Sequence, residues 1–300
     1  MNGFLNINKP AGMSSAAVVG TLKRLTGEKR IGHAGTLDPE AAGVLPIMLG
    51  RATRLFDYLV EKEKQYETVC AFGAATDTQD ATGQIIETGE NYPSRELILE
   101  KLPALTGDII QRPSMYSAIK VGGKPLYQLA RQGETIEVPE RVVHVERIEY
   151  LGEAADHGAS LRVTCGKGTY IRSICDDLGK LCGCPAHMRS LVRTKSGFFS
   201  LTEALSLEEA RALSGEGKLG EKLIPLDTPI QHMRRVEAPE WMAKWVAAGA
   251  KLPLDKLRGD DLEEGDITRV YLQGQFWGIG QRREEDLIWR AQIPPEGNTV

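Results

Sequence analysis

A glycine-rich loop near the start of the chain presents the side chain best suited to chemistry. It runs Gly32-His33-Ala34-Gly35-Thr36-Leu37-Asp38-Pro39. Glycines allow the backbone to approach a ligand closely, and Pro39 favours an extended Asp38, so a polymeric substrate could reach this carboxylate. Such a carboxylate can attack a sugar carbon or stabilise developing positive charge. Local chemistry alone favours a simpler role, a turn former or helix cap ahead of Pro39.

Regular elements on both sides position this loop. We predict a short strand around Leu5 and Ile7, then a helix capped by Ser14 or Ser15 and ended by Gly27. After the loop, the apolar run of residues 44–49 suits a buried strand, and residues 51–60 favour a helix.

Later segments supply further predicted elements. The alternation Tyr66, Thr68, Cys70, Phe72 places these side chains on one face of a strand. Residues 76–83 are predicted to be a solvated turn, 93–106 a helix, and 142–150 and 161–165 two strands. A second helix is predicted after a Thr169 cap and ends at Gly183. Its buried stripe is predicted to comprise Ile171, Ile174, Leu178 and Leu181.

Several common site types are excluded. The segment Gly166–Thr169 lacks the glycine spacing of a P-loop, and no dinucleotide fingerprint, G-x-S-x-G elbow or catalytic carboxylate pair is present. The five cysteines are scattered, which predicts reduced thiols. Cys182 and Cys184 lack a second ligand pair at zinc-finger spacing, so no metal is expected. No apolar run approaches the roughly 20 residues needed to span a bilayer, and no secretory signal is evident, which predicts a cytoplasmic protein.

The net charge of −4 argues mildly against a nucleic-acid partner. The distribution of the charge weakens this argument, because the excess of negative charge lies in one segment. The segment 236–300 holds 12 acidic and 8 basic residues, so the rest of the chain is neutral. Residues 111–133 and 185–199 carry cations without a carboxylate, and these two cationic islands could hold phosphates. Ordinary solvated surface is the simpler interpretation and the one that charge alone favours.

The tail also differs in composition. All four tryptophans lie there, and Trp241 and Trp245 are four apart on a predicted helix over residues 239–249, which favours packing in a small core over stacking on bases. The segments that follow are predicted to be short strands of a small barrel. We therefore predict two domains, residues 1–232 and 233–300.

Six sequence blocks, in order, resemble one family. The Asp38 loop, continued through Gly43–Pro46 to Gly50, closely resembles the active-site motif of the TruB family of tRNA pseudouridine-55 synthases. The other five blocks are spread over residues 8–194 and resemble further family motifs: Asn8–Ser15, Lys64–Glu67, Pro113–Lys120, Lys167–Arg172 and Leu191–Thr194.

The resemblance implies which residues form the site. Asp38 matches the essential aspartate, Tyr66 the tyrosine that stacks on the target uracil and assists removal of its C5 proton, and Arg172 the arginine that pairs with the aspartate. Tyr170 and Leu191 resemble walls of the base pocket, and His33 the residue that fills the space left by flipped bases. Phosphate or other RNA contacts are expected at Lys9, Lys120, Arg131 and Arg193.

The resemblance also implies a fold and a reaction. The fold is α+β, a mixed and mainly antiparallel sheet with flanking helices, followed by a small PUA-like β-barrel domain. The reaction isomerises a uridine in the tRNA T-loop without cofactor or metal, by base flipping. Asp38 could attack the sugar carbon, add to the base or abstract a sugar proton.

Two alternatives remain at this point, a non-catalytic tRNA-folding chaperone and a synthase acting on another RNA. The presence of Asp38, Tyr66 and Arg172 argues against the first. The short N-terminus without a basic extension favours a stand-alone tRNA enzyme. We also expect a monomer that needs no protein partner and does not bind a membrane. The acidic tail puts a strong RNA contact from the second domain in doubt.

Overall fold

The computed structural model describes residues 1–60, 62–117, 120–132, 136 and 138–295. Two large sheets organise this part of the chain. In chain order, the strands are β1 (Gly3–Lys9), β2 (Ile31–His33), β3 (Ala42–Leu49), β4 (Lys64–Phe72), β5 (Ala74–Thr76), β6 (Ile85–Thr88), β7 (Gly107–Gln111), β8 (Lys120–Val121), β9 (Lys124–Pro125), β10 (Arg141–Ala154), β11 (Gly158–Cys165), β12 (Ala186–Ser196), β13 (Phe199–Ser200), β14 (Arg234–Ala238), β15 (Leu252–Pro253), β16 (Arg258–Gly259), β17 (Ile267–Leu272), β18 (Gln275–Arg283) and β19 (Asp286–Gln292).

The helices flank these sheets. The α-helices are α1 (Ser15–Thr26), α2 (Phe56–Val60), α3 (Arg95–Lys101), α4 (Leu126–Arg131), α5 (Ile171–Cys182), α6 (Leu207–Gly215) and α7 (Ala243–Ala248). Short 3-10 helices span Gly50–Leu55, Leu102–Leu105, Leu201–Glu203, Leu219–Lys222, Thr228–Ile230, Glu240–Met242 and Leu254–Lys256. No helix in the described part of the chain is long and apolar enough to cross a membrane.

The larger sheet is mixed, as predicted. Its main path runs β1-β3-β12-β4-β11-β10-β7, with β2 beside β3 and β13 beside β12. Its strand pairs are antiparallel except β12 with β3. Helices α3 and α5 cover one part of it, while α1 and α6 pack over β1 and β3. This arrangement confirms the predicted α+β class.

Helix α1 begins and ends as the sequence predicted. The Ser14 side chain accepts a hydrogen bond from the backbone N–H of Ala17, and Gly27 adopts the left-handed conformation at the C-cap, at φ 66°. Buried Val18 and Leu22 pack against the strands. Capping by Ser14 leaves Ser15 available for another contact.

Helix α5 differs from the prediction in two details. Thr169 does not cap it, because the N-cap is Tyr170 and makes no side-chain capping bond, while the Thr169 hydroxyl donates to the Gly166 carbonyl. Leu181 is exposed, and Cys182 takes the inward position instead. Gly183 ends the helix as predicted. The buried face of α5 packs against β4, where Tyr66 and Cys70 lie in the same core cluster.

The smaller sheet contains β14 to β19 in the order β15-β19-β18-β17-β14-β16 and curls into a half-barrel consistent with a PUA-like domain. It packs on the rest of the protein through Ile279 and Ile293, which join a core cluster with Phe4. The Tyr271 hydroxyl donates to Asp227 at 2.6 Å, which adds a polar link.

The prediction of a core role for the first two tryptophans is wrong. Trp241 and Trp245 are 60 % and 44 % exposed and meet edge to face, with ring centroids 5.9 Å apart. Met242 and Val246 share the same four-residue spacing and occupy the inward face, while Trp277 is buried in the core. The spacing correctly placed each pair on one face but did not say which face is inside.

The turn at residues 76–83 is another correction, because it is packed rather than solvated. Thr76 and Thr78 are buried, and both hydroxyls donate to the carbonyl of Asp80. The turn lies against α5, where Ser173 donates to Gln79. Its packing places the Asp80 carboxylate beside the candidate site.

Candidate active site

Two side chains near the start of the chain, Ser15 and Lys9, hold the Asp38 loop in place. The Ser15 hydroxyl donates to the Leu37 carbonyl and accepts from the Leu37 N–H, at 3.0 and 2.9 Å. The Lys9 ammonium donates to the carbonyls of Pro10, Met13 and Pro39. The Asp38 peptide is therefore fixed on both sides of its side chain.

Arg193 on β12 holds the other end of the loop. It is 1 % exposed, and its guanidinium donates to the carbonyls of Gly35, Thr36 and Val44. The parallel pairing of β12 with β3 brings the two backbones so close that a Cβ on Gly43 would lie 2.2 Å from the Arg193 carbonyl. Gly43, at φ +104°, is therefore required for this approach.

Arg172 extends from α5 to the Asp38 carboxylate. Its Nε lies 3.2 Å from Asp38 Oδ2, and its side chain is 6 % exposed, against 42 % for Asp38. The rest of the guanidinium is also occupied, since it donates to the carbonyls of Thr78 and Tyr116 and contacts Asp80 Oδ2 at 3.4 Å. A buried arginine with this set of acceptors is fixed in orientation and stabilises negative charge on Asp38.

A pocket of about 270 Å³ opens beside this ion pair. Tyr66 from β4, Leu191 from β12 and Tyr170 at the start of α5 line it together with Asp38 and Arg172. Tyr66 is 8 % exposed, and burial raises the pKa of its phenol although the nearby Arg193 opposes the shift. The pocket thus combines an accessible carboxylate with flat, uncharged aromatic walls.

His33 lies on β2, opposite Ile47 of β3. Its Nδ1 is buried and makes no hydrogen bond within the described residues. Burial, aided by the charge of Arg193, lowers the pKa of the imidazole, which favours its neutral form. His33 belongs to the Asp38 loop but is not among the residues that line the pocket beside the ion pair.

Models of one family match most of this chain. The model described as "TruB family pseudouridylate synthase (N terminal domain)" matches residues 23–171, and the "tRNA pseudouridylate synthase B C-terminal domain" model matches residues 172–231. The chain belongs to the TruB family. The first match contains Asp38 and Tyr66, and the second begins at Arg172.

Relatives from bacteria agree over nearly the whole length. A protein of Heliobacterium modesticaldum named tRNA pseudouridine synthase B is 42 % identical over 295 residues, which cover 97 % of this chain and 94 % of the relative. One of Bacillus pumilus with the same name is 42 % identical over 301 residues, covering 98 % and 97 %.

Solved structures show the same fold. "Crystal Structure of a Cbf5-Nop10-Gar1 Complex" aligns with a TM-score of 0.72 at 26 % identity, covering 93 % of this chain and 78 % of that one. "Structure of H/ACA RNP bound to a substrate RNA containing 2'-deoxyuridine" aligns with a TM-score of 0.75 at 22 % identity, covering 98 % and 86 %.

Two of the RNA contacts predicted for this TruB-family chain are contradicted by burial. Lys9 is fully buried and Arg193 is 1 % exposed, and both direct their charge at carbonyls of the protein. Burial also lowers the pKa of Lys9 to about 8, although the carboxylates of Glu40 and Asp38 oppose this. Both side chains support the Asp38 loop rather than bind phosphate. The side chains of Lys120 and Arg131 lie outside what the structure describes.

The two cationic islands are less positive in the folded structure than in the sequence, because carboxylates from distant parts of the chain form ion pairs with them. Ion pairs join Arg112 to Glu140 at 2.8 Å, Arg189 to Asp156 at 3.2 Å and Lys195 to Glu63 at 3.8 Å. These exposed pairs leave the cations accessible but reduce the local positive field.

Sequence reasoning missed three residues near the site. Ser15 was taken only as a possible helix cap, Asp80 as part of a solvated turn, and Gln111 was not singled out. Two serines in succession at a helix start were the available signal for Ser15, since one residue suffices as the cap. Asp80 and Gln111 approach the site only through contacts with α5 and its N-cap, which no local pattern reveals.

A larger cavity of about 770 Å³ lies in the smaller sheet, and its lining shares no residue with the pocket at Asp38. Two arginines, Arg258 and Arg282, line it, together with five carboxylates: Asp255, Asp260, Asp261, Glu285 and Asp286. Its excess of negative charge is unfavourable for an RNA backbone. The pocket at Asp38 therefore remains the candidate active site.

Proposed function

We propose that the protein isomerises uridine to pseudouridine at position 55 in the T-loop of tRNA, with Asp38 as the catalytic carboxylate. One observation carries this proposal: an accessible aspartate, paired with a buried arginine, borders a base-sized pocket with an aromatic wall. Relatives that match over nearly their whole length are named tRNA pseudouridine synthase B, which supports the same substrate and reaction.

The reaction is an isomerisation, so the substrate and the product contain the same atoms. The bond between uracil N1 and the sugar C1′ breaks, the base turns, C5 bonds to C1′, and the proton lost from C5 is balanced by one gained at N1. Asp38 acts as an ionised carboxylate beside the extruded nucleotide, and the fixed Arg172 guanidinium keeps it oriented. The geometry is compatible with attack on the sugar, addition to the base or abstraction of a sugar proton.

Tyr66 and Tyr170 provide faces for the extruded uracil. Because burial raises the pKa of Tyr66, its phenol stays protonated at neutral pH, which supports stacking and disfavours a pre-formed tyrosinate base. Leu191 closes the pocket with an apolar side chain. The contacts of the flipped uracil with these side chains offset part of the free energy that is lost when the base leaves its stack.

We also propose a division into domains, an RNA partner and a cellular location. Residues 1–232 carry the reaction and residues 233–300 form the PUA-like unit, in accord with the second sheet beginning at β14. The partner is the tRNA T-arm, and the protein acts in the cytoplasm as a monomer without a protein partner. Exposed cations such as Arg112 and Lys195 are the available phosphate contacts.

Tritium release tests the proposal directly. Purified protein is mixed with unmodified tRNA labelled at uracil C5, without added cofactor, beside its Asp38→Asn variant. We expect release by the wild type alone, with the Kd for tRNA changed less than threefold, because Asp38 is only one partly exposed group on the binding surface.

The matched substrate control is the same tRNA with cytidine at position 55, which should release nothing. Binding without release by the wild type would instead favour the chaperone alternative. Equal release from the control RNA would move the reaction to a different uridine. Loss of both binding and activity in Asp38→Asn would make Asp38 a structural turn residue.

A further inference from the structure

Gln111 makes a paired contact with the backbone of a pocket residue. It ends β7 and is fully buried. Its Nε2 donates to the carbonyl of Tyr170 at 3.1 Å, and its Oε1 accepts from the N–H of the same residue at 3.0 Å. The side-chain amide therefore pairs with both polar groups of one residue, 59 positions away in the chain.

This contact gives a partner to one of the groups that the start of a helix leaves unpaired. Tyr170 is the N-cap of α5, and the N–H of an N-cap residue has no acceptor within the helix, so Gln111 Oε1 supplies the acceptor that it needs. The Tyr170 carbonyl also accepts the first helical bond, from Ile174. Gln111 thus fixes the residue at which α5 begins, while the ring of that residue lines the pocket.

A neighbouring strand adds a second support. Arg141 of β10 lies opposite Gln111 in the antiparallel register. Its guanidinium donates to the Gly168 carbonyl at 3.4 Å and lies 5.9 Å from the centre of the Tyr170 ring. Two paired positions on β7 and β10 therefore reach the same short segment before α5. Arg141 is partly exposed, so its contribution is weaker than that of Gln111.

We propose that Gln111 is a positioning residue for the reaction, which holds Tyr170 as a fixed wall against the flipped uracil, with Arg141 in a lesser supporting role. This inference rests on the proposed function, since it concerns the placement of the uracil. A fixed wall lowers the entropy that must be lost when the base reaches its reactive position. Loss of Gln111 slows the chemical step of bound substrate.

The first test replaces Gln111 with Met, which keeps similar volume and removes both hydrogen bonds. Single-turnover tritium release with enzyme in excess gives a rate constant and an amplitude. We expect the rate constant to fall about tenfold to a hundredfold, while the amplitude and the tRNA Kd change less than twofold. A purely structural role would lower only the fraction of folded enzyme, which the stoichiometry of tRNA binding measures separately, and would leave the rate constant at saturating enzyme unchanged.

A matched control and a coupling test accompany it. Gln281 in the smaller sheet also donates from its amide to a carbonyl, that of Gly265, and Gln281→Met should leave the rate constant unchanged. Adding Gln111→Met to a Tyr170→Ala variant should change the rate constant less than twofold, because the wall is already absent. A full additional loss would show that Gln111 does not act through the Tyr170 side chain.

The Gln111→Glu variant provides a further test, which does not require the fold to tolerate methionine at position 111. An ionised carboxylate repels the Tyr170 carbonyl, whereas a protonated one donates to it and still accepts from the N–H. The rate constant of this variant relative to wild type should therefore rise several-fold as pH falls from 8 to 6, since burial beside a carbonyl raises a carboxyl pKa by more than the partly exposed Arg141 guanidinium lowers it. A flat ratio would refute the paired contact as the cause. No release by wild type would refute the proposed function instead.

Discussion

Replacing Arg193 with Met separates two roles that the sequence could not distinguish, loop support and phosphate binding. The guanidinium donates to three carbonyls, those of Gly35, Thr36 and Val44, and is 1 % exposed. Each buried acceptor left without a partner costs about 1–3 kcal/mol, and removal of a buried charge offsets part of the total. We expect the free energy of unfolding to fall by about 3–5 kcal/mol, which is a large fraction of the roughly 5–15 kcal/mol typical of folded proteins.

The assay is urea unfolding, compared at constant slope so that the midpoint reports stability. Arg189→Met is the matched control, because Arg189 lies on the same strand and its partly exposed side chain pairs with exposed Asp156. This control should lose less than about 1 kcal/mol. Single-turnover release should fall at least about tenfold for Arg193→Met in the folded fraction, since the Asp38 loop loses a support.

The opposite pattern would refute this reasoning. Arg193→Met could unfold at the same urea concentration as Arg189→Met, keep its single-turnover rate, and lose tRNA affinity with a weaker dependence on salt. Arg193 would then be a phosphate contact, as first predicted from the sequence.

Two further predictions concern stability. Burial lowers the pKa of Lys9 from 10.5 to about 8, so between these values the unfolded chain binds more protons, and wild type should gain up to about 3 kcal/mol relative to Lys9→Met as pH rises from 8 to 10.5. Urea unfolding across this range measures the difference, and a constant gap would contradict the burial cost. Trp277→Ala should cost about 3–5 kcal/mol, whereas Trp241→Ala should cost less than about 1 kcal/mol, because only Trp277 fills the core. Equal shifts of the unfolding midpoint would contradict the exposed placement of Trp241.

The sequence predicted those features that depend on local spacing or on resemblance. Helix α1, with its Ser14 cap and Gly27 end, follows from local chemistry that needs no distant partner. The meeting of Asp38, Tyr66 and Arg172 followed from the family motifs, since no spacing rule joins positions more than a hundred residues apart. The structure places the three around one pocket.

Features that depend on distant partners escaped prediction. A lysine or arginine near an active-site motif is equally compatible with a phosphate outside or carbonyls inside. Arg193 finds its carbonyls 149 to 158 positions earlier in the chain, so its burial could not be read locally. The same limit hid Gln111, whose partner is 59 positions later.

The parallel pairing of β12 with β3 has a consequence for the order of assembly. The ribosome synthesises the Asp38 loop long before it synthesises residues 186–196. Until then, the carbonyls of Gly35, Thr36 and Val44 lack their hydrogen-bond donor, Arg193. Contacts of such large separation form late, because much chain must be closed into a loop first. A growing chain therefore carries Asp38 for most of its synthesis without a working site, and activity appears only after the strand that supports the loop has docked.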